Sequence, residues 1–152
     1  MMRLPAVALA VLALDQATKA LVRALLRAGS TVPAIPHVLS WTYVQNTHAA
    51  FGMFGEHPLL LGALGLPIAG FFLVAYKNVL AESPWTQLAL GAIVGGALGN
   101  VWDRLHAGFV TDFVDFKVWS ETFNVADAAI TLGMIVLLLT TLRRRAASPP
   151  AH

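Results

Sequence analysis

The chain contains no cysteine, which excludes disulfides, thiol nucleophiles and cysteine-held metals together. It has little charge: Asp, Glu, Lys and Arg make up 12% of its 152 residues, against about 25% in a typical globular domain. Serine is scarce, and none of Ser30, Ser40, Ser83, Ser120 or Ser148 stands beside an obvious base. No H-E-x-x-H zinc pattern occurs, since Glu56-His57 runs into Pro58. The histidines at 37, 48, 57, 106 and 152 are scattered and fall mostly in loops. No repeat of fixed period is visible. Serine, cysteine and zinc hydrolases are therefore poorly supported, and no metal or cofactor is expected. Carboxylates remain.

Apolar residues are plentiful, at 57%, and the few charges cluster so that long uncharged stretches separate them. A helix needs roughly 20 apolar residues to cross a bilayer. Four stretches qualify, at residues 4–26, 58–76, 85–105 and 123–142. The first could be a signal peptide, but its apolar pattern continues past Asp15-Gln16, so an uncleaved helix is expected. Pro67 should kink the second. Ser83-Pro84 has the form of an N-cap and first-turn proline for the third. Gly91, Gly95 and Gly99 recur every four positions there, leaving a face that can touch a neighbouring helix closely.

The expected architecture is an all-α membrane protein with four transmembrane helices, forming one domain over residues 1–145. A disordered cytoplasmic tail follows at 146–152. Two polar excursions interrupt the helices. In the first, residues 38–45 (VLSWTYVQ) read as one extended strand, rich in β-branched and aromatic side chains. The second carries Asp112 and Asp115. Four crossings leave both termini on one side, and Arg143, Arg144 and Arg145 nominate the cytoplasm for it. That triple arginine directly follows an apolar helix, so it reads as an anchor to an anionic leaflet rather than a nucleic-acid patch.

This topology gathers seven of eight polar residues at the outer end: Lys19, Asn46, Asn100, Arg104, Asp112, Asn124 and Asp127, with Asp15 beneath them. Asp15 and Lys19, and Asn100 and Arg104, are spaced i,i+4; Asn124 and Asp127 are spaced i,i+3, so each pair shares a helix face. Lipid-facing charge is costly, which turns all three faces inward. Two carboxyl groups held close together cannot both ionise freely, so one keeps its proton near neutral pH. The ionised member can then take a proton from water while the other donates to a carbonyl. Asp112 and Asp127 are the candidate pair. Asp127 can also be read as the acid of a capping box behind Thr122 or Asn124, and Asp112 and Asp115 as solvated loop acids. Asp15 with Lys19 can be read as a structural ion pair. A proton- or ion-coupled transporter is the rival function, although such sites favour the midplane and inverted repeats. A non-catalytic subunit that docks through the glycine face would leave the two outer aspartates unexplained.

Four blocks resemble the lipoprotein signal peptidases, the signal peptidase II family: Asp15-Gln16-Ala17-Thr18-Lys19; Asn46-Thr47-His48-Ala49-Ala50-Phe51; residues 95–115 (GGALGNVWDRLHAGFVTDFVD); and Phe123-Asn124-Val125-Ala126-Asp127. The resemblance implies a four-helix fold of the bacterial inner membrane with a small extracytoplasmic β-rich cradle from the first excursion. It implies an aspartyl endopeptidase that removes signal peptides from prolipoproteins, cutting before a diacylglyceryl-modified cysteine. Partners would be that substrate and membrane lipid, with no nucleic acid, and the enzyme would be a monomer. Asp112 and Asp127 match the family's catalytic aspartates, with Asp115 as the alternative to Asp112. Asp15, Lys19, Asn46, Asn100, Arg104 and Asn124 match its supporting polar residues. The chain departs from the family at His48, where glycine is usual, so the loop beside Asn46 lacks glycine's freedom at positive φ. The stretch between Phe116 and Phe123 is short, which implies a trimmed flap over the site.

Overall fold

The computed structural model describes residues 3–47, 67, 70, 71, 73–75 and 83–147. Three long helices organise them: α1 (Arg3–Leu25), α2 (Pro84–Ala107) and α3 (Val125–Ala147). Residues 67, 70, 71 and 73–75 are also helical. Among the described residues, α1 and Val125–Arg144 of α3 are long and apolar enough to cross a membrane.

The middle helix is the hub, because its small residues let both neighbours approach. A Cβ added at Gly95 would lie 2.5 Å from the Ala8 carbonyl oxygen of α1. One added at Gly96 would lie 2.5 Å from the Ala126 carbonyl oxygen of α3. The glycine face read from the sequence thus packs on α1, and Gly96 opens a second face towards α3. Lower in the bundle Ala89, Leu90, Ile93 and Leu137 close an apolar core. Gly95→Ala is expected to destabilise the protein by about 1–3 kcal/mol, since a backbone atom must move to admit the methyl group. A thermal scan in detergent reads this, and an unchanged Tm would mean that the two helices part easily.

The helix ends follow local chemistry. The Ser83 hydroxyl accepts from the Thr86 N–H and Pro84 fills the first turn of α2. Gly108 closes α2 at φ 78°, its N–H donating to the Arg104 carbonyl. Asn124 caps α3: its Oδ1 accepts the Asp127 N–H at 2.9 Å, and an Asp127 oxygen accepts the Asn124 N–H at 3.3 Å. That reciprocal pair is a capping box. The expected helices at 4–26, 85–105 and 123–142 therefore begin or end a few residues away from the observed ones, and positions 146 and 147 belong to α3 rather than to a tail. Most of the expected helix at 58–76, the loop at 48–57 with His48, and residues 148–152 lie outside the described residues.

Three strands, β1 (Thr31–Ile35), β2 (Leu39–Asn46) and β3 (Val110–Phe116), form an antiparallel sheet in that order. The sequence had suggested only one, close to β2, and had drawn the cradle from the first excursion alone. β1 carries Pro33 and is exposed along its whole length, so it lacks apolar alternation. β3 comes from the second excursion, and Val110, Thr111, Asp112 and Phe113 are all buried in succession. Alternation disappears there because both faces are covered. Opposite β3, three steps from Trp41 to Val44 match two from Val114 to Asp112. The extra residue is a bulge in β2, set beside Asp112, where bulges commonly re-aim side chains.

Candidate active site

The site is built where the ends of α1, α2 and α3 meet the sheet. Asp15 and Lys19 lie one turn apart on α1, both fully buried. Their ion pair is 2.8 Å long. Gly99 on α2 makes room for it, since a Cβ there would lie 2.5 Å from Asp15 Oδ2. The other Asp15 oxygen accepts the Ala126 N–H at 2.9 Å. A carboxylate thereby sits on the first turn of α3, where the helix dipole favours negative charge.

Lys19 also donates to Asn100 Oδ1 at 2.8 Å and lies 3.4 Å from Asp103 Oδ2. With its ammonium engaged this way, Lys19 fixes which edge of the Asn100 amide faces the next layer. Asn100 Nδ2 donates to Asp127 Oδ1 at 2.7 Å. Asn124 Nδ2 donates to Asp112 Oδ1 at 2.6 Å and reaches Asn100 Oδ1 at 3.2 Å. Asn46 Nδ2, from the end of β2, donates to Asp112 Oδ2 at 2.8 Å. Asp112 and Asp127 thus hang on one frame of amides whose NH2 groups point at carboxylates. Among the described residues, no hydrogen bond joins the two carboxyl groups directly.

Of the eight residues singled out from the sequence, seven are linked by this chain of contacts. The eighth, Arg104, is half-buried and close enough for its charge to act on Asp127, Asp112 and Asp103. Asp115 stands apart: it bonds Lys117 at 2.5 Å and Thr42 at 2.9 Å on the exposed side of the sheet. The Lys117 contact is the main reason its carboxyl stays below the usual carboxylate range. Asp112 behaves oppositely. Burial pushes it up to about 6; the Asp127 charge adds to the rise, and the Asn46 and Asn124 amides and the Lys19 charge partly offset it.

Sequence reasoning missed four members of the cluster. Gln16 donates to Asp15, to the Gly99 carbonyl and to Asp103. Arg23 bonds both Asp103 and Thr111, and Asp103 also accepts the Thr111 N–H. The signal was present, since Arg23 follows Lys19 by four and Asp103 follows Asn100 by three. Next to Asp127 opens an apolar cavity of about 540 Å3, walled by Phe116, Trp119, Phe123, Thr131 and Leu132. Two acids on fixed amides, Asp112 buried and Asp127 half-buried, with an apolar chamber alongside Asp127, can activate water against a substrate that is largely hydrophobic.

The profile of the family described as signal peptidase (SPase) II matches residues 7–143. The chain is 41% identical to the lipoprotein signal peptidase of Pelotomaculum thermopropionicum, covering 84% of this chain and 83% of that one. It is 38% identical to that of Moorella thermoacetica, over 86% of each. With that of Pseudomonas paraeruginosa the identity is 34%, over 93% of this chain and 89% of the other. Two solved structures of bacterial membrane enzymes, obtained by the in meso method, share the fold. One has a TM-score of 0.79 at 27% identity, covering 96% of this chain and 91% of that one. The other has a TM-score of 0.72 at 29% identity, covering 90% of each. With its profile matched from near one end to the other, the chain belongs to the signal peptidase II family, the aspartyl endopeptidases of lipoprotein processing.

Proposed function

We propose that the protein removes signal peptides from diacylglyceryl-modified prolipoproteins, cutting before the lipidated cysteine, with Asp112 and Asp127 as its catalytic pair. The observation that carries this reading is the shared amide frame, which holds an acid from β3 and an acid from α3, the latter lining an apolar cavity. One carboxylate takes a proton from water as the oxygen adds to the scissile carbonyl carbon. The partner, protonated, donates to the carbonyl oxygen. As the tetrahedral adduct collapses, the C–N bond breaks and the departing cysteine nitrogen receives a proton from the pair. The two groups titrate as a unit, so the working state is defined by one proton per pair.

Arg104 lies near enough for its charge to reach both carboxylates and is the residue suited to hold substrate carbonyls. Asn46, Asn100 and Asn124 orient the acids. Lys19 is buried away from the cavity and acts through Asn100, while Asp15 ties α1 to the start of α3. Four helices cross the bacterial inner membrane in this reading, with both termini cytoplasmic and the pair near the extracytoplasmic face. The exposed Arg143 and Arg144 at the far end of α3 support that orientation. The enzyme is a monomer in this reading. The transporter reading gains no support, because the deepest charges, Asp15 and Lys19, neutralise each other.

Cleavage of a synthetic prolipoprotein peptide in detergent tests the assignment. Peptide carrying the diacylglyceryl cysteine should be cut before that residue, and the same peptide without the lipid should lose at least tenfold in kcat/KM. Burying even a few methylenes at about 0.8 kcal/mol each supplies that factor. Equal rates on both peptides would refute the role given to the apolar cavity, and no cleavage of either would refute the substrate.

A further inference from the structure

β3 is an edge strand of the sheet, so its outward N–H groups need partners from elsewhere. The Thr111 N–H, next in chain to Asp112, donates to Asp103 Oδ2 of α2 at 3.0 Å. The Thr111 hydroxyl accepts from Arg23 Nε of α1 at 2.8 Å. The same guanidinium donates through Nη2 to Asp103 Oδ1 at 2.8 Å. Thr111 and Asp103 are almost completely buried. One planar cation and one carboxylate thus grip a single strand residue through both its backbone and its side chain. An arginine can do this because its donors are fixed in one plane.

Further along β3, the Phe113 and Val114 N–H groups donate to the Phe123 carbonyl, and the Val114 carbonyl accepts the Phe123 N–H. Thr111 is thus the point held on the N-terminal side of Asp112. On its opposite side β3 pairs with β2, through the bulge between Trp41 and Val44, opposite Asp112. A slip of one residue in a strand turns every side chain to the other face. Here it would bring Thr111 or Phe113 to the place of the acid.

We propose that Arg23 and Asp103 are a positioning pair, gripping Thr111 so that β3 keeps the register that delivers Asp112 to the amide frame. Neither touches substrate; both act through Thr111. The proposal rests on Asp112 being catalytic.

The test is a mutant cycle with Arg23→Met, Thr111→Val and the double variant, together with Arg23→Lys and Asp112→Asn. Each is assayed on the lipidated peptide in detergent, below its own measured unfolding temperature. Arg23→Met and Thr111→Val should each lower kcat about tenfold with KM unchanged, since small misplacements of a reacting group cost rate more than binding. The double variant should be no worse than the poorer single one, because both remove the same contact. Arg23→Lys, which cannot span both acceptors, should fall between wild type and Arg23→Met. Full kcat in Arg23→Met and Thr111→Val beside an inactive Asp112→Asn would overturn the positioning pair alone. So would losses that multiply in the double variant or that lie in KM. An active Asp112→Asn would overturn the catalytic reading and the positioning pair together.

Discussion

Asp112→Asn and Asp127→Asn are each expected to lower the cleavage rate by about 10²–10⁴-fold, the usual range for a positioned acid or base, with the fold retained. The folded frame tolerates an amide at 112 for a definite reason. Asp112 Oδ1 accepts from Asn124 and Oδ2 accepts from Asn46. An asparagine there keeps its oxygen on Asn124, and its NH2 then faces Asn46. That one mismatch falls at the part-buried strand end, whereas Asn124 is fixed from within, because its Oδ1 already accepts the Asp127 N–H in the cap. At 127 the substitution puts an NH2 against either the Asn124 N–H or the Asn100 NH2, and Lys19 holds Asn100 in place. Asp127→Asn should therefore cost some stability as well as activity, and Asp112→Asn is the cleaner variant. Circular dichroism and a thermal scan separate the two effects. Wild-type turnover in Asp112→Asn would remove the proposed chemistry.

Lys19→Met should have the largest effect on stability. Its ammonium is fully buried and touches Asp15, Asn100 and Asp103. Removing one partner from a buried ionic cluster typically costs about 3–5 kcal/mol, because the remaining charge is left without compensation. The two acids do not suffer equally. Asp103 keeps Arg23 and the Thr111 N–H, whereas among the described residues Asp15 keeps the Gln16 amide and the Ala126 N–H and no cation. The penalty should therefore fall mainly on Asp15, and Asp15→Asn combined with Lys19→Met should be more stable than Lys19→Met alone. Thermal unfolding of the three proteins in detergent checks this. A double variant less stable than the single one would mean that Asp15 contributes through its contact with Ala126 rather than through charge balance.

How much of this was legible beforehand follows from the range of each interaction. Helical spacing is local, so the shared faces of Asp15 with Lys19 and of Asn124 with Asp127 could be read directly. The Asn124–Asp127 box shows that one local signature can hold two meanings, since the same carboxylate caps α3 and accepts from Asn100 in the amide frame. Topology made Asp112 a candidate partner for this group and the family resemblance singled it out, but the approach itself is carried by strand register, which is not a local signal. β3 itself was unreadable as a strand, its buried run Val110, Thr111, Asp112 and Phe113 showing no period of two. Arg23 and Asp103 were overlooked although their spacing was favourable. Their partners lie across the bundle, and spacing within one helix says nothing of what another helix presents.

The reading depends most on the two carboxyl groups being electrically coupled, and infrared titration of the protonated Asp112 carboxyl observes this without substrate. The band is assigned by its loss in Asp112→Asn and then followed with pH in wild type and in Asp127→Asn. Burial and the Asp127 charge both hold the Asp112 proton on, so in wild type the band should fade as pH rises through about 6. Without the Asp127 charge it should fade at a lower pH. Identical titrations in the two proteins would contradict the pair.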